Sequence, residues 1–372
     1  MSDLGPAQLA PYVTGGAFVL AFIFGAVANK TDFCTMGAVS DWVNMGDFNR
    51  MRMWLLAIAV ALLASSALQL AGAIDLADSI YPGPRFTWLS YIVGGFLFGV
   101  GMTLGSGCGS KTLIRIGGGN LKSAIVYVFL GLAAYMTLRG VLGAFRVGVL
   151  EKASFVISSG QDLPSLFSSV MGIEKPLLAA IFAALIGGGI VAFIYTSREF
   201  RAEFNYTLGG VVTGMVVAAG WYVSGHIGRV AEDPNTLQGA FVATNTGRME
   251  SFSFVAPLAY SLEYLMFWTD KSKIVTYGIA SAAGVIAGSA AYAIATRKFR
   301  WEGFRDAEDT AMHILGGLLM GFGGICALGC TIGQAITGFS TLALGSIITF
   351  LSIVAGSAAT MKLQYWRIST QG

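Results

Sequence analysis

Nine stretches of the chain are apolar over about the length that crosses a lipid bilayer, and this feature restricts the fold more than any other. They lie near residues 9–28, 52–73, 88–106, 121–142, 176–196, 206–223, 274–296, 311–328 and 340–361. A spanning helix needs roughly 20 apolar residues. Charged residues make up only 12% of the chain, whereas a soluble domain carries about 25%. The sequence therefore predicts an all-α, polytopic membrane protein that forms a single integral membrane domain over residues 1–372.

Two stretches, 29–50 and 224–268, mix apolar, glycine and polar residues and do not resemble simple loops. Lipid tolerates irregular backbone only where protein or a water-filled cavity surrounds it. We therefore predict re-entrant or half-crossing segments in both stretches. The run Phe252–Trp268 is long enough to span the membrane, but it carries Pro257 and Glu263, and the predicted topology requires that it does not cross.

The positions of lysine and arginine predict the orientation, because loops on the cytoplasmic side carry an excess of both. The arrangement that fits best has the N-terminus outside and the C-terminus inside. The inside loops and tail then carry Arg50, Arg52, Lys111, Arg115, Lys122, Arg198, Arg201, Arg297, Lys298, Arg300, Arg305, Lys362 and Arg367. Lys271 and Lys273 are the main charges that oppose this arrangement.

One glycine–cysteine motif occurs twice. The two copies read Gly95-x3-Gly99-x-Gly101-x5-Gly107-Cys108 and Gly317-x3-Gly321-x-Gly323-x5-Gly329-Cys330. All named positions match at a constant offset of 222, as do Gly94 and Gly316. Small residues at this spacing favour close helix packing in lipid, and a glycine at the end of an apolar run favours a helix end.

Four spans in the first half, one linking span and four spans in the second half give the two halves opposite orientations. The sequence therefore predicts an inverted-topology repeat. The first half covers residues 9–142, a linking segment with one span covers 143–205, and the second half covers 206–361. Inverted repeats place substrate near the midplane at broken helices. Cys108 should therefore approach the centre from the inside and Cys330 from the outside. Cys34 lies in the first re-entrant stretch, and its counterpart is expected near 225–228, where there is no cysteine.

Neutral thiols at a midplane suit the passage of a soft anion. A buried anion needs hydrogen-bond donors, and lysine or arginine would hold it tightly, whereas a thiol is a weak donor. Helix N-termini at the breaks would add positive potential. The four cysteines form no CxxC pair and no cluster with histidine at metal spacing, so we predict no metal and no cofactor. The chain has no basic block of the kind that binds nucleic acid.

Two further residues are weaker candidates for contact with an anion. Lys111 could attract an anion at the inner mouth, or it could serve as a positively charged anchor at the membrane surface. Gln334 could donate a hydrogen bond to the anion, or it could cap a helix. Cys326 lies inside a span, corresponds to Leu104 in the first half and is expected to be an inert packing residue.

The twin motif and the segment Asn29–Gly37, which contains Asp32-Phe33-Cys34-Thr35-Met36, resemble the YeeE/YedE family of bacterial sulfur transport proteins. The resemblance covers nearly the whole chain. It implies uptake of thiosulfate through the bacterial inner membrane, with Cys34, Cys108 and Cys330 contacting the ion in turn. It also implies a small cytoplasmic sulfur-relay partner of the TusA type.

Three alternatives remain open at this point. Selenium anions and other sulfur species are equally soft and could replace thiosulfate. A membrane sulfurtransferase or thiol oxidoreductase could form persulfides on cysteine, although such an enzyme needs reactive thiolates with a resolving partner nearby. A channel for a small neutral solute or weak acid would need no cysteine. We favour transport of a sulfur-containing anion, without enzymatic activity.

Overall fold

The computed structural model describes residues 5–232 and 238–371, and almost all regular structure in these ranges is helical. Within them, nine helical stretches are long and apolar enough to cross a membrane. These stretches are Pro6–Met45, Asn49–Leu70, Trp88–Gly117, Leu121–Arg139, Lys175–Ile194, Phe204–Ile227, Tyr277–Ala295, Ala307–Thr341 and Leu344–Arg367. The prediction of a polytopic all-α membrane protein is confirmed.

Several of these stretches are broken or continue into irregular helix. The α-helices are α1 (Pro6–Lys30), α2 (Thr35–Ser40), α3 (Asn49–Leu70), α4 (Trp88–Leu104), α5 (Gly109–Gly117), α6 (Leu121–Arg139), α7 (Val141–Phe145), α8 (Leu163–Met171), α9 (Lys175–Ile194), α10 (Arg198–Ala202), α11 (Phe204–Tyr222), α12 (Ala256–Met266), α13 (Tyr277–Ala295), α14 (Ala307–Cys326) and α15 (Leu344–Gln371). Segments of π-helix occupy Asp41–Met45, Arg146–Leu150, Val223–Ile227 and Thr331–Gly338, and 3-10 turns occupy Leu76–Asp78 and Phe339–Thr341. Two antiparallel pairs of two-residue strands, β1 (Arg85–Phe86) with β2 (Phe155–Val156) and β3 (Arg229–Val230) with β4 (Ala240–Phe241), lie in the loops.

Contacts between loops sort them onto two faces of the helix bundle. On one face, which we call the basic face, the loop at Asn120 pairs with the loop at Glu302, and Lys122 forms a 2.8 Å ion pair with Asp309. On the opposite face, the loop at Ser79 pairs with the loop at Met249. The loop ends grouped on the basic face are those that the positive-inside rule predicts to be inside.

The helix α12 is too short to cross a membrane, as the predicted topology requires of 252–268. Its eleven residues extend about 16 Å at 1.5 Å per residue, only half of the hydrocarbon thickness. It begins deep in the bundle, where the Phe254 amide bonds the Cys330 sulfur at 3.2 Å. Near its other end, Glu263 forms a 2.6 Å ion pair with Lys273. This pair gives one of the two opposing lysines a local partner.

The two copies of the motif pack against each other backbone to backbone along α4 and α14. A Cβ added to Gly94 would lie 2.7 Å from the Gly323 carbonyl oxygen, and one added to Gly323 would lie 2.5 Å from the Gly94 oxygen. Gly101 and Gly316 make the same reciprocal approach, at 2.6 and 2.7 Å. The glycine immediately before one copy of the motif therefore meets the third glycine of the other copy. This is the pattern of two antiparallel equivalent helices about an approximate two-fold axis.

The neighbouring helices repeat this reciprocity. Gly99 of α4 packs on α15, where an added Cβ would overlap the Ile353 carbonyl oxygen. Its equivalent, Gly321 of α14, packs on α6, where an added Cβ would overlap the Leu130 carbonyl oxygen. Likewise α1 packs along α13, and α3 along α11. These contacts support the division into halves at 9–142 and 206–361 joined by 143–205, which we retain as a proposal.

The expected counterpart of Cys34 near residues 225–228 is wrong. Those residues belong to the π-helical end of the sixth crossing and to the turn after it. The short helix α12 instead occupies the position equivalent to α2, since each lies between the first and second long helices of its half. Its N-cap residue is Val255, so the second half indeed has no cysteine there. The pairs Gly15-Gly16 and Gly209-Gly210 match at an offset of 194. The expectation near 225–228 used that offset, which cannot be extended beyond the first span.

The glycine packing predicts a difference between two substitutions of equal size. Gly99→Ala should lower the free energy of unfolding by about 2 kcal/mol, because overpacking a close backbone contact typically costs 1–3 kcal/mol. Gly189→Ala in α9 is the matched control, since nothing lies within 4 Å of an added Cβ there. Thermal unfolding of the purified protein in detergent checks the prediction. Equal midpoints for the two variants would contradict the packing described.

Candidate functional site

The two long helices of the motif stop in the same way. Ser106 and Leu328, which match at the repeat offset, both adopt a left-handed backbone with φ +58°. The following amides, of Gly107 and Gly329, return to carbonyl oxygens five residues back, at 2.9 and 2.7 Å. These are Schellman-type helix ends. A short helix follows in each half, and its N-cap residue is a cysteine.

Three cysteines occupy the N-caps of three short helices. Cys34 is the N-cap residue of α2, Cys108 that of α5 and Cys330 that of the π-helix Thr331–Gly338, and the Cys108 side chain makes no capping bond. The Cys34 sulfur accepts from the Gly37 amide at 3.3 Å, and the Cys330 sulfur accepts from the Gly333 amide at 3.4 Å. A sulfur is therefore used where a hydroxyl or carboxylate usually caps a helix.

Contacts between these caps bring the short helices together at one place between the two halves. The Cys108 sulfur lies 4.0 Å from the Thr35 hydroxyl, in the first turn of α2, and 3.2 Å from the Ser110 hydroxyl. The fourth short helix, α12, is preceded by Phe254, whose amide bonds the Cys330 sulfur. A Cβ on Gly109 would overlap the Phe254 carbonyl oxygen. Four helix N-termini thus surround the thiols.

This arrangement is suited to an anion. The N-terminus of each helix carries partial positive charge, and no carboxylate of the described residues hydrogen-bonds to any of the three sulfurs. Backbone amides already donate to Cys34 and Cys330, which leaves each S–H proton free to donate in turn. Within the described residues all four cysteines are free and buried, and no group of three or more His, Cys, Asp or Glu side chains could hold a metal.

A vestibule of about 280 Å³ opens on the basic face beside this cluster. Its cationic lining residues are Lys111, Arg115, Lys298 and Arg300, and its acidic ones are Asp32 and Glu302. Lys111 lies in the first turn of α5, three residues after Cys108, and its side chain is 11% exposed. It forms an ion pair with Asp32. The predicted candidate Lys111 therefore lies between the thiols and this vestibule.

A second cavity, of about 260 Å³, lies on the opposite face and includes Gly329, next to Cys330, in its lining. Its only charged lining residues among those described are Arg146 and Glu250. Burial raises the pKa of the Glu250 carboxyl, and hydrogen bonds from Thr246 and Asn245 oppose that increase. The two cavities thus approach the cysteine cluster from opposite sides.

The structure gives Gln334 a structural role. Its side-chain amide donates to the carbonyl oxygen of Ala327, in the break between α14 and the π-helix. The sequence offered two roles for Gln334, donation to an anion and capping of a helix, and this bond corresponds to the second. Cys326 lies at the end of α14, buried, with its carbonyl oxygen accepting from Ser90 at 2.9 Å. Its side chain has no partner in the cluster of the other three cysteines.

Three contributors were missed from the sequence. Asp32 binds Lys111, and Phe254 brings α12 to Cys330. The Thr331 hydroxyl, on the residue after Cys330, is buried and has no partner in the described part of the chain. Applying the motif offset of 222 to Cys34 gives Ala256, the first residue of α12. That offset could have identified the fourth helix.

Comparison with known proteins gives consistent matches along the chain. The profile of a family described as sulphur transport matches residues 30–359. A protein of Spirochaeta thermophila named thiosulfate transporter TsuA is 26% identical over 348 residues, which cover 91% of this chain and 95% of that protein. A protein of Escherichia coli with the same name is 24% identical over 363 residues, with 93% of each chain covered.

Proposed function

This chain belongs to the YeeE/YedE sulphur transport family, and on that premise we propose that it carries thiosulfate across the membrane by way of Cys330, Cys108 and Cys34. Its role is transport and not catalysis: the family is one of transport proteins and both relatives are named as transporters. The prediction that the chain is not an enzyme is confirmed on that basis.

The observation that carries the proposal is that three free cysteines occupy the N-cap positions of three converging short helices. Thiosulfate is a dianion with a soft terminal sulfur. The helix N-termini stabilise its charge, and the S–H groups donate weak hydrogen bonds to it. No single contact is strong, so the ion exchanges one thiol for the next without a deep energy minimum. Tight binding at one site would instead slow release.

The positions of the two cavities support the proposed order of contact. The cavity on the opposite face leads to Gly329 and so to Cys330. Cys108 follows, because its sulfur neighbours Thr35 at the start of the Cys34 helix. Cys34 is the last thiol before Asp32 and the vestibule on the basic face. Selenium-containing oxyanions share the softness of thiosulfate, and the competition experiment below separates them.

We place the chain in the bacterial inner membrane with its N-terminus outside and its C-terminus in the cytoplasm. The support for this proposal is the division of the loops into two faces and the concentration of arginine and lysine on one of them. Uptake then runs from the cavity containing Glu250 toward the vestibule containing Lys298.

We further propose that a small cytoplasmic TusA-like sulfur-relay protein docks at the mouth of this vestibule. Lys298 and Arg300 are exposed there and line it. Neither is among the ion pairs of the described residues. Their charge is therefore available to a partner that receives the sulfur as it leaves.

Replacing the motif cysteines should abolish uptake while the fold persists. Cys108→Ala and Cys330→Ala proteoliposomes should lose at least about 100-fold of the thiosulfate uptake rate, because removing an essential hydrogen-bond donor from a buried anion path costs several kcal/mol. Cys34→Ala should also lose uptake. Radiolabelled thiosulfate measures the rates.

The matched control is Cys326→Ala, which removes a buried thiol outside the cluster and should keep nearly wild-type uptake. Equal circular dichroism and elution volume establish folding of each variant. Competition by sulfate, sulfite and selenite in the wild type tests the substrate. Normal uptake by Cys108→Ala would contradict the relay. Stronger competition by selenite than by unlabelled thiosulfate would identify selenite, and not thiosulfate, as the preferred substrate.

Orientation can be tested with two reporters. A green fluorescent protein fused after Gly372 should fluoresce, because that reporter folds in the cytoplasm and the tail is expected there. Alkaline phosphatase inserted after Ala153, in the loop before β2, should be active, because this loop is expected to lie outside. A non-fluorescent C-terminal fusion together with an inactive alkaline phosphatase insertion would indicate the opposite orientation.

The docking proposal predicts a face-specific charge effect. The double variant Lys298→Glu with Arg300→Glu should weaken binding of a purified TusA-like protein by about tenfold, because charge complementarity contributes to such encounters. The matched control, Lys152→Glu with Lys271→Glu, reverses two exposed lysines of the opposite face. Biolayer interferometry on protein in nanodiscs measures both. Equal affinities for the two double variants would contradict docking at the vestibule.

A further inference from the structure

We propose that Asp32 is a built-in carboxylate latch on the anion site of Lys111, and that the substrate anion displaces it on the way out. The inference rests on the proposed function, because it concerns the last step of the path described above. The latch consists of Asp32 together with its two cationic partners, Lys111 and Arg50.

The contacts show a carboxylate held at two points. One Asp32 oxygen pairs with the Lys111 ammonium group, and the other lies 3.0 Å from the Arg50 guanidinium. Arg50 is anchored in turn by Asp41 at 3.1 Å. The Asp32 side chain is 55% exposed, whereas that of Lys111 is 11% exposed. The carboxylate therefore faces the vestibule and covers a lysine that is otherwise almost enclosed.

The latch lies between the last thiols and the exit. Lys111 follows Cys108 by three residues on α5, and Asp32 precedes Cys34 by two residues. The Arg50 guanidinium lies against Gly37, since an added Cβ there would be 2.6 Å from its nitrogen. The amide of that glycine bonds the Cys34 sulfur. An anion that leaves the thiols toward the vestibule meets this ion pair first.

The backbone of Asp32 supports a dedicated role. Asp32 has φ +51°, a left-handed conformation that costs most residues energy but is tolerated by asparagine and aspartate. This conformation occurs in the turn between α1 and α2 and directs the carboxylate toward two different helices. Strain of this kind is concentrated at functional positions.

An exchangeable carboxylate resolves the difficulty of placing a lysine on the path of an anion. An enclosed ammonium group without a partner is costly, and with a dianion alone it would hold the ion strongly. Asp32 balances the charge when no substrate is present. When substrate has bound, the tethered carboxylate is at high effective concentration and competes for Lys111. Partly exposed ion pairs are weak enough to exchange. The carboxylate therefore both restores the empty site and speeds release.

The latch exists on one side only. The repeat places Gly333 at the position equivalent to Lys111, so the π-helix beginning after Cys330 carries no cation in its first turn. The inner and outer ends of the cysteine path thus differ in a way that the repeat does not explain. This difference identifies the latch as an addition to the common framework.

The decisive variants remove one charge at a time. Asp32→Asn keeps a residue that tolerates the left-handed backbone, and Asp32→Gly does the same without a side chain. Thiosulfate uptake by proteoliposomes should show KM and kcat both lowered by about threefold to tenfold in each, because the uncovered lysine binds the anion better and nothing displaces it. Lys111→Gln should raise KM.

The double variant Asp32→Asn with Lys111→Gln should behave like Lys111→Gln alone, because the carboxylate acts only through the lysine. Asp309→Asn, which removes a carboxylate of the basic face that pairs with Lys122 outside the latch, should leave KM unchanged. A purely structural role for Asp32 predicts a lower kcat with KM unchanged or raised, and that result would overturn the latch. Wild-type protein that takes up no thiosulfate would instead overturn the proposed function, and the latch with it.

Discussion

The close contact between α4 and α14 is the interaction on which the rest of the architecture depends. Lipid gives two apolar helices no hydrophobic reason to associate, so their attraction must come from packing at short range. Gly94, Gly101, Gly316 and Gly323 provide it by letting two backbones meet without side chains between them. Because the same sequence motif lies on both helices, the contact is satisfied twice by one antiparallel arrangement. That arrangement puts the breaks after α4 and α14 at the interface between the two halves.

The breaks explain why cysteine can serve as a cap. A helix that restarts inside a membrane protein needs its first amides satisfied, since no water reaches them freely. A sulfur is a poorer acceptor than the oxygen of serine or aspartate. The Gly37 and Gly333 amides therefore retain more of their positive potential toward a neighbouring anion than they would with a carboxylate cap. The Cys34 and Cys330 thiols thus satisfy the helix and leave a site for negative charge.

The sequence was sufficient to predict the features that repeat along the chain, but it was not sufficient to predict contacts that depend on local turns. The spans, the twin motif and the cysteines at Gly107-Cys108 and Gly329-Cys330 follow from apolar length and from a constant offset, which a linear search detects. The counterpart of Cys34 was misjudged because the stretch between α11 and α12 is much longer than the one between α1 and α2. The pairing of Asp32 with Lys111 depends on a left-handed turn and on a fold contact across 79 residues. No periodicity reports such a contact.

The membrane potential explains why the inner end of the path should differ from the outer end. A dianion that enters a cell against a negative-inside potential must overcome about 4.6 kcal/mol per 100 mV, since each charge costs about 2.3 kcal/mol. At equilibrium that cost alone would hold the outside concentration roughly 2,000-fold above the inside one. The hydrogen bonds of Cys34, Cys108 and Cys330 cannot change this ratio, because a binding site along a path alters rates and not end states. Net uptake by the proposed route therefore requires that the ion be consumed on the inner side. Fast release past Lys111 into a vestibule where a sulfur acceptor docks would meet that requirement without a coupling ion.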